Sequence, residues 1–223
     1  SAEVVTVTGN RMMRYFSDIN KDKNVFIFPH CLPDEWFDSS VDLNVDKCDL
    51  ISISELKKNK RTIDIIRAVH HLKEEGLDLK LKILGVGPEK IILMEEISKL
   101  GLNSNVKLLG YQKDVLSHLN RAKFFIQASI KEGLSLSLVE ALGAGVIPIV
   151  TEAGSEKDII TDKKDCLFFE KRNYRDLSKN IKYAMNSDNY KYLKKNVLKT
   201  RSKLSIQNAI SQTDEILAYI ENV

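Results

Sequence analysis

Two glutamates at a fixed spacing point most directly to chemistry in this sequence. Glu132 and Glu140 are separated by seven residues, and Gly133 follows the first of them. Ionised carboxylates only accept hydrogen bonds, so a pair of them suits the hydroxyl groups of a sugar or of a ribose diol. A glycine beside the first carboxylate lets a ligand approach the backbone closely. The pattern predicts a site for a hydroxyl-rich ligand.

The residues between these glutamates favour a phosphate group as part of that ligand. A helix is predicted over 135–144, and the free amides at a helix start bind anions. The amides concerned belong to Gly133, Leu134, Ser135, Leu136 and Ser137. The predicted helix is apolar on most faces and is expected to be buried, so the carboxylate of Glu140 needs a partner.

Simpler interpretations of both glutamates stay open at this point. The spacing from Ser137 to Glu140 is that of a capping box, in which the glutamate side chain returns to the amide of the N-cap residue. Glu132 on its own also fits a solvated loop carboxylate. Spacing alone does not separate a helix cap from a ligand contact.

Two other segments could contact an anionic ligand. Gly85 and Gly87 follow a predicted strand, but Lys90 stands where a dinucleotide fingerprint requires a third glycine, and a tight strand-to-helix turn is the alternative. Lys60 and Arg61 end a basic run at a predicted helix start, where the helix dipole disfavours cations. A bound anion would explain them, and a solvated charge run is the alternative.

Composition sets limits on the class of protein. The chain has 223 residues, 43% hydrophobic and 29% charged, with a net charge of +3, which is too mild to predict nucleic-acid binding. Three cysteines without metal-ligand or disulfide spacing favour a reducing, cytoplasmic setting. No apolar run of the length of a membrane span is present, so no transmembrane helix is predicted.

A late basic segment has two interpretations. It contains Lys191, Lys194, Lys195, Lys199, Arg201 and Lys203. A solvated helix face is the simpler one. The other is a surface that contacts anionic lipid.

The elements that must position these residues alternate along the chain. Strands are predicted at 4–8, 25–28, 50–53, 79–84, 106–110, 124–126, 146–150 and 166–169, and helices near 10–19, 63–72, 91–100, 113–120 and 135–144 and from about 170 to the end, with a loop or linker at 34–49. Such alternation predicts an α/β fold with a Rossmann-like parallel sheet and helices on both faces. Ligands bind beyond the carboxyl ends of such strands, which places the site in the loops at 54–61, 85–88, 110–113, 128–136 and 151–155.

Together these motifs resemble glycosyltransferase family 4, the group 1 glycosyltransferases, which are retaining enzymes of the GT-B fold. The resemblance rests on Glu132-Gly133 through Glu140-Ala141-Leu142, followed by Gly145 to Val150. Gly85 to Pro88, Gly110, Asp114 and Lys60 add support. On this resemblance the chain is the C-terminal nucleotide-sugar-binding domain of a GT-B enzyme.

The resemblance implies a role for each site residue. Glu132 would hold hydroxyls of the donor sugar, and Glu140 would bind the ribose. Lys60, Arg61 and the amides of residues 133–137 would bind the diphosphate, and the loops with Gly85, Gly87 and Tyr111 would contact the base. Glu132 and Lys60 are the implied catalytic residues. The donor is expected to be a UDP-sugar or GDP-sugar, with no metal and no cofactor.

The resemblance also implies a division of the chain. Residues 1–24 are expected to be the last strand and helix of the acceptor-binding domain, and residues 25–49 an interdomain strand and linker. Residues 50–203 are expected to form the nucleotide-sugar-binding domain, and residues 204–223 a helix that crosses back. With the rest of the acceptor domain missing, the chain is expected to bind a nucleotide sugar weakly and to be inactive alone.

The cellular setting follows from the same resemblance. The acceptor is expected to be a carbohydrate or a lipid-linked sugar of a bacterial surface polysaccharide or glycolipid, bound through the missing domain. The chain is expected in the cytoplasm, with peripheral contact at the inner face of the plasma membrane, and without a nucleic-acid partner.

Several residues depart from the family pattern and keep other functions open. Glu55 stands where the family often has Arg, and Ser155, Asp158 and Cys166 replace Gly, Glu and Gly. One alternative is another GT-B enzyme, such as a sugar-nucleotide epimerase or a sugar-phosphate synthase. Another is a non-catalytic nucleotide-binding module, which Glu55 supports. A dinucleotide oxidoreductase is disfavoured by Lys90.

Overall fold

Eight strands supply the framework of the part of the protein that the structure describes. The structure is a computed structural model that describes residues 4–7, 10, 13–14, 24–27, 31–37 and 47–221. The strands are β1 (Val4–Val7), β2 (Asn24–Ile27), β3 (Cys48–Ile53), β4 (Leu81–Leu84), β5 (Val106–Gly110), β6 (Ala122–Gln127), β7 (Ile147–Thr151) and β8 (Leu167–Phe169).

Helices alternate with these strands over most of the described chain. They are α1 (Thr62–Glu74), α2 (Lys90–Lys99), α3 (Val115–Leu119), α4 (Leu136–Gly143), α5 (Tyr174–Met185), α6 (Ser187–Arg201) and α7 (Ile206–Glu221). Short 3-10 turns lie at Asp34–Phe37, Lys58–Lys60, Glu156–Asp158 and Ser202–Leu204. None of the helices within the described ranges is both long enough and apolar enough to cross a membrane.

Six of the strands form one parallel sheet in the order β5-β4-β3-β6-β7-β8, while β1 and β2 pair separately. The chain starts this sheet at β3, moves outward through β4 to β5, and then returns to place β6 on the other side of β3. The strand order therefore reverses between β3 and β6, and such a reversal opens a crevice at the carboxyl ends of the two strands. The predicted α/β fold with helices on both faces of a parallel sheet is confirmed.

Apolar runs make the central strands because helices cover both faces of the sheet. Leu50 and Ile51 of β3 pair with Phe124 and Phe125 of β6, and all four side chains are at most 1% exposed. Polar side chains appear where these strands end, at Ser54 and Gln127. The core therefore ends at the crevice.

Several predicted boundaries move in the structure. The sheet begins at Cys48 and not at Leu50, because Cys48 is buried and its amide donates to the Arg121 carbonyl over 2.8 Å. Part of the predicted loop at 34–49 is the 3-10 turn Asp34–Phe37. Of the helix predicted over 10–19, the structure describes residues 10, 13 and 14, which are helical, and the rest lies outside the described residues.

Two of the late basic side chains do not belong to a solvated face. Lys194 is mostly buried and donates its ammonium to the carbonyl of Gly145, just beyond α4, and burial lowers its pKa. Arg201 donates to the carbonyl of Trp36 over 2.7 Å and lies over the Phe37 ring. These contacts join α6 to the turn Asp34–Phe37 and the end of α4.

A close approach of two backbones shapes the crevice at Gly85. Its φ is +132°, and a Cβ there would lie 1.9 Å from the carbonyl oxygen of Ser54. Gly76 also has a positive φ, +88°, but a Cβ there would meet nothing within 4 Å. The two glycines therefore separate the effect of crowding from the effect of backbone conformation.

We expect Gly85→Ala to lower the free energy of unfolding by about 3 kcal/mol, since it combines a disfavoured φ with a clash against backbone. Gly76→Ala, the matched control, should cost about 1 kcal/mol. Urea unfolding followed by circular dichroism measures both. Equal losses for the two variants would contradict the close approach at Gly85.

Candidate functional site

A cavity of about 490 Å³ opens at the carboxyl ends of β3, β4, β5 and β6. It is lined by Ile53, Ser54, Glu55, Lys60, Leu84, Gly85, Val86, Tyr111, Gln112, Val115, Gln127, Glu132, Leu134, Ser135, Leu136, Ser137 and Glu140. Four of the five loops chosen from the sequence contribute to this lining. Its place at the reversal of strand order is where open parallel sheets bind ligands.

The N-terminus of α4 points into this cavity with free amides. Ser135 is the N-cap residue, in an extended conformation, and its side chain makes no capping hydrogen bond to the backbone. Its hydroxyl lies 2.9 Å from that of Ser137. The amides of Leu136 and Ser137 precede the first intrahelical bonds, so the helix start presents donors and a positive dipole to the cavity.

Glu140 lies one turn further along α4, half buried in the cavity wall. The capping-box interpretation is wrong, because the N-cap residue is Ser135 and Ser137 already lies within the first turn. Burial raises the pKa of the Glu140 carboxyl. No hydrogen-bond or ion-pair partner for this carboxylate is found among the residues that the structure describes. Its oxygens are therefore left to water or to a bound ligand.

Lys60 and Glu132 form an ion pair across the cavity floor. Their side chains are 21% and 13% exposed, and the pair bridges the loops that follow β3 and β6. A backbone hydrogen bond of 2.8 Å from Ile130 to Asn59 holds the two loops together beside it. The structure thus brings both predicted catalytic residues into one place, as each other's partners.

The structure does not bring Arg61 into the cavity. Its guanidinium donates two hydrogen bonds, of 2.8 and 2.7 Å, to the carboxylate of Asp64, three residues later in the chain. Asp64 is buried in the first turn of α1, where the helix dipole favours an acidic side chain. The ion pair also raises the pKa of Arg61. Arg61 is therefore held by its own helix, and the sequence-based assignment to the ligand is not supported.

Gly87 and Gly133, two of the predicted site residues, are not among the residues that line the cavity. A Cβ on Gly87 would lie 2.5 Å from the carbonyl oxygen of Leu56, so Gly87 permits the packing of two loops. Gly133 accepts a backbone hydrogen bond from Ser155 over 2.9 Å. Both positions shape the cavity through the backbone.

The mouth of the cavity presents exposed apolar surface. Tyr111, Leu136 and Val86 are 76%, 67% and 53% exposed. Aromatic rings left open at a rim can stack on a planar ligand. Tyr111 lies in the lining of the cavity, and Val86 joins it from the adjacent loop.

Other lining residues escape the sequence analysis. Gln112 donates to the carbonyl of Leu109 over 2.8 Å, and Gln127 is 5% exposed at the end of β6. A polar residue directly after a buried apolar strand is the signal that would have found Gln127 and Ser54. Glu55, which replaces the family's arginine, lies on the rim and pairs with Lys57 at 2.8 Å.

The charges of the lining suit an anion that also carries hydroxyl groups. One ammonium and one helix N-terminus face three carboxylates, those of Glu55, Glu132 and Glu140. Phosphate oxygens can accept from the ammonium and from the amides of the helix N-terminus. Hydroxyl groups can donate to the carboxylates. Within the described part of the chain no group of three or more His, Cys, Asp or Glu residues is placed to hold a metal ion.

The sequence profile of the family described as "Glycosyl transferases group 1" matches residues 34–202. The chain belongs to this family. The match covers every loop that lines the cavity, and it confirms the resemblance drawn from the two glutamates and the strand that follows them.

Curated relatives in this family are longer than the chain. One is N-acetylgalactosamine-N,N'-diacetylbacillosaminyl-diphospho-undecaprenol 4-alpha-N-acetylgalactosaminyltransferase of Campylobacter jejuni, 32% identical over 155 residues, which make up 69% of the chain and 42% of that protein. Another is the poly(glycerol-phosphate) alpha-glucosyltransferase of Bacillus subtilis, 32% identical over 172 residues, or 74% of the chain and 25% of that protein. The chain therefore spans less than half of each relative.

Solved structures confirm the fold as that of a Rossmann-like domain of GT-B glycosyltransferases. HepE of Anabaena, solved in complex with UDP, matches with a TM-score of 0.84 over 100% of this chain and 64% of that one, at 14% identity. A glycosyltransferase from Rickettsia africae matches with a TM-score of 0.84 at 17% identity, over 96% of this chain and 62% of that one.

The half-buried carboxylate of Glu140 makes the free energy of unfolding depend on pH. Its pKa is raised in the folded state, so below the pKa of the unfolded chain the residue is neutral in both states and costs nothing. As the pH rises through the folded pKa, the charged form accumulates and the free energy of unfolding falls. Replacing the carboxylate with an amide removes this cost.

We expect Glu140→Gln to raise the free energy of unfolding of the unliganded protein at pH 8 by at most about 1 kcal/mol, since solvent screens a half-buried charge. The gain should be smaller at pH 5. Denaturant titrations at both pH values measure it, with Glu95→Gln on the exposed side of α2 as the control. A gain that does not grow with pH would contradict a costly carboxylate at Glu140.

Proposed function

We propose that the chain is the donor-binding half of a retaining glycosyltransferase that transfers a sugar from a nucleoside diphosphate to an acceptor hydroxyl. One observation carries the proposal. A helix N-terminus, the Lys60–Glu132 ion pair and the carboxylate of Glu140, which has no partner among the described residues, line one cavity at the reversal of strand order. These groups match a diphosphate flanked by two sets of hydroxyl groups.

The resemblance to the family suggests how the donor lies in the cavity. The ribose diol donates to Glu140, which thereby gains its missing partner. The diphosphate binds the amides of Leu136 and Ser137 and the ammonium of Lys60, and the sugar hydroxyls donate to Glu132. The base contacts the loops with Gly85 and Tyr111, where the exposed ring can stack on it.

Catalysis on this proposal is electrostatic. The bond from the anomeric carbon of the sugar to the diphosphate oxygen breaks, and the acceptor oxygen bonds to the same carbon on the same face. Negative charge grows on the departing diphosphate, and the helix N-terminus and Lys60 stabilise that charge. Lys60 is then shared between Glu132 and the phosphate. Glu132 accepts hydrogen bonds from the sugar and is not a nucleophile, so the two-carboxylate scheme of glycoside hydrolases is not applied. The departing phosphate accepts the proton of the acceptor hydroxyl.

UDP is the nucleotide that the similar structures favour. HepE is described as a complex with UDP-glucose, and the pneumococcal O-GlcNAc transferase GtfA as a complex with UDP and GlcNAc. The curated relatives include N-acetylgalactosaminyl and glucosyl transferases. A UDP-sugar is therefore the first donor to test, and a GDP-sugar the second. A surface polysaccharide or a lipid-linked sugar is the proposed acceptor.

Peripheral contact with an anionic membrane is a separate part of the proposal. With Lys194 and Arg201 engaged, four exposed lysines remain about one turn apart on and just after α6, at 191, 195, 199 and 203. Tyr192 and Leu198 are 54% and 45% exposed beside them. The segment 191–203 has no acidic residue. Basic and apolar side chains on one helix face suit the surface of an anionic bilayer.

A non-catalytic nucleotide-binding module is the second candidate, because Glu55 places a carboxylate on the rim where the family often has arginine. It would bind UDP and not distinguish a UDP-sugar from it.

We expect calorimetry to show binding of UDP to the purified chain, and tighter binding of a UDP-sugar. Glu140→Gln should weaken UDP binding at least tenfold, since a hydrogen bond to a charged group contributes about 1.5–3 kcal/mol. Glu132→Gln should leave UDP affinity unchanged or stronger, because Lys60 is released, and should abolish the gain from the sugar. The titrated ligands are UDP, GDP, NAD, UDP-glucose, UDP-N-acetylglucosamine and UDP-N-acetylgalactosamine.

The control variant for these titrations is Glu95→Gln, which lies on an exposed helix face. Binding of NAD in place of UDP or GDP, or an unchanged UDP affinity in Glu140→Gln, would reject the proposed donor site. The chain alone is proposed to bind the donor without turnover, and transfer by the purified chain at an ordinary enzymatic rate would contradict that part.

For the membrane contact, we expect the chain to sediment with phosphatidylglycerol vesicles and not with phosphatidylcholine vesicles. Changing Lys191, Lys195, Lys199 and Lys203 together to Gln should lower the affinity at least tenfold, since each lysine near an anionic surface contributes about 1 kcal/mol. The control changes Lys90, Lys99, Lys107 and Lys113, which are also exposed. Equal losses in the two variants would mean that net charge, and not the α6 face, determines binding.

A further inference from the structure

Glu156 is a buried carboxylate to which the proposed donor contacts give no role. It is 0% exposed, in the turn Glu156–Asp158 that follows β7. Placing an ionisable group out of contact with water is costly unless hydrogen bonds compensate. The groups that stabilise the buried carboxylate of Glu156 also connect it to Glu132.

Donors from the loop after β7 and from β6 converge on the Glu156 carboxylate. One oxygen, Oε2, accepts from the amides of Ala153 at 3.0 Å and Gly154 at 2.6 Å. The other, Oε1, accepts from Nε2 of Gln127 at 3.4 Å, and Gln127 lines the cavity. No ion-pair partner for Glu156 is found within the described ranges. Glu156 thus fixes the backbone of residues 153–154 and the side chain of Gln127 at once.

The segment fixed in this way holds the backbone of Glu132. The Glu132 amide donates to the Ala153 carbonyl over 3.0 Å, and the Ser155 amide donates to the Gly133 carbonyl over 2.9 Å. Gly154 lies so close that a Cβ there would be 1.9 Å from the Gly133 oxygen. The orientation of the Glu132 side chain therefore depends on the backbone of residues 153–155, which Glu156 holds in place.

Electrostatics link the two carboxylates as well. Burial raises the pKa of Glu156, and the nearby charge of Glu132 raises it further, while the amide hydrogen bonds lower it. Glu132 has Lys60 as its own partner. The arrangement keeps the two acidic groups apart, with one facing the loop amides and the other facing the cavity.

We propose that Glu156, acting with Gln127, is a positioning residue that fixes Glu132 for recognition of the donor sugar. The inference rests on the proposed role of Glu132 as acceptor for sugar hydroxyls. Glu156 itself does not touch the donor, and its effect passes through the backbone of residues 153–155. It should therefore affect the part of the affinity that comes from the sugar and not the part that comes from UDP.

The test compares the dissociation constants of UDP and of the UDP-sugar that binds most tightly among UDP-glucose, UDP-N-acetylglucosamine and UDP-N-acetylgalactosamine. Their ratio in the unchanged protein is the sugar gain. Glu156→Ala should lower the sugar gain roughly tenfold, while the UDP affinity stays within about twofold. Glu156→Gln, whose amide oxygen can still accept from the loop amides, should keep most of the gain. Glu152→Ala is the matched control in the same loop, since its side chain is 55% exposed.

A second variant keeps the test decisive if Glu156→Ala does not fold. Gly154→Ala forces a methyl group against the Gly133 carbonyl, and it should also lower the sugar gain while UDP binding is kept. A sugar gain that is unchanged in folded Glu156→Ala or Gly154→Ala would overturn the inference. Equal losses of UDP and UDP-sugar affinity would overturn it too, because they indicate a general structural role.

The failure of the proposed function would be visible separately. If no UDP-sugar binds more tightly than UDP to the unchanged protein, the assignment of Glu132 fails, and the inference fails with it. If the unchanged protein shows a sugar gain that only Glu132→Gln abolishes, the proposed function stands and the role of Glu156 is rejected.

Discussion

The pairing of β3 with β6 is the constraint on which the site depends. The two strands are distant in sequence, yet the register Leu50 with Phe124 and Ile51 with Phe125 places their carboxyl ends side by side. The loops that follow them can then meet, so that Lys60 reaches Glu132 across 72 positions of sequence. Because the pairing is made by apolar side chains that are almost fully buried, the geometry of the site is set by the core.

Several polar groups of the cavity are placed so that a bound ligand can form hydrogen bonds with them. Among the described residues, the first amides of α4 have no acceptor and the Glu140 carboxylate has no donor. Burial disfavours the charged form of Glu140, and a ligand that donates a hydrogen bond to it would offset that cost. Lys60 and Glu132 compensate each other instead, so the ion pair can preserve the arrangement until a phosphate competes for the ammonium.

The sequence predicts the parts of this protein that local patterns encode. The sequence predicts the apolar strands, their alternation with helices and the pair of glutamates, because each of these patterns is formed by residues close together in the chain. The N-cap at Ser135 was missed since Ser137 fits the same rule. Arg61 is not among the residues that line the cavity, because Asp64, within one helical turn, engages its guanidinium.

Long-range contacts account for most of what the sequence does not predict. Lys194 and Arg201 look like part of a solvated basic face until the Gly145 and Trp36 carbonyls are placed beside them. Glu156 belongs to no sequence motif. Its proposed role follows from its contact with Gln127, 29 positions earlier, and from the loop that it holds against Glu132. Such contacts depend on strand order, which local patterns do not fix.

We propose that Glu140 and the start of α4 together bind a nucleoside diphosphate. A crystal structure of this chain with UDP is the decisive experiment. We expect a ribose hydroxyl within about 2.6–3.2 Å of the Glu140 carboxylate and phosphate oxygens on the amides of Leu136 and Ser137. A UDP molecule bound elsewhere, or one whose ribose leaves Glu140 without a partner, would contradict it.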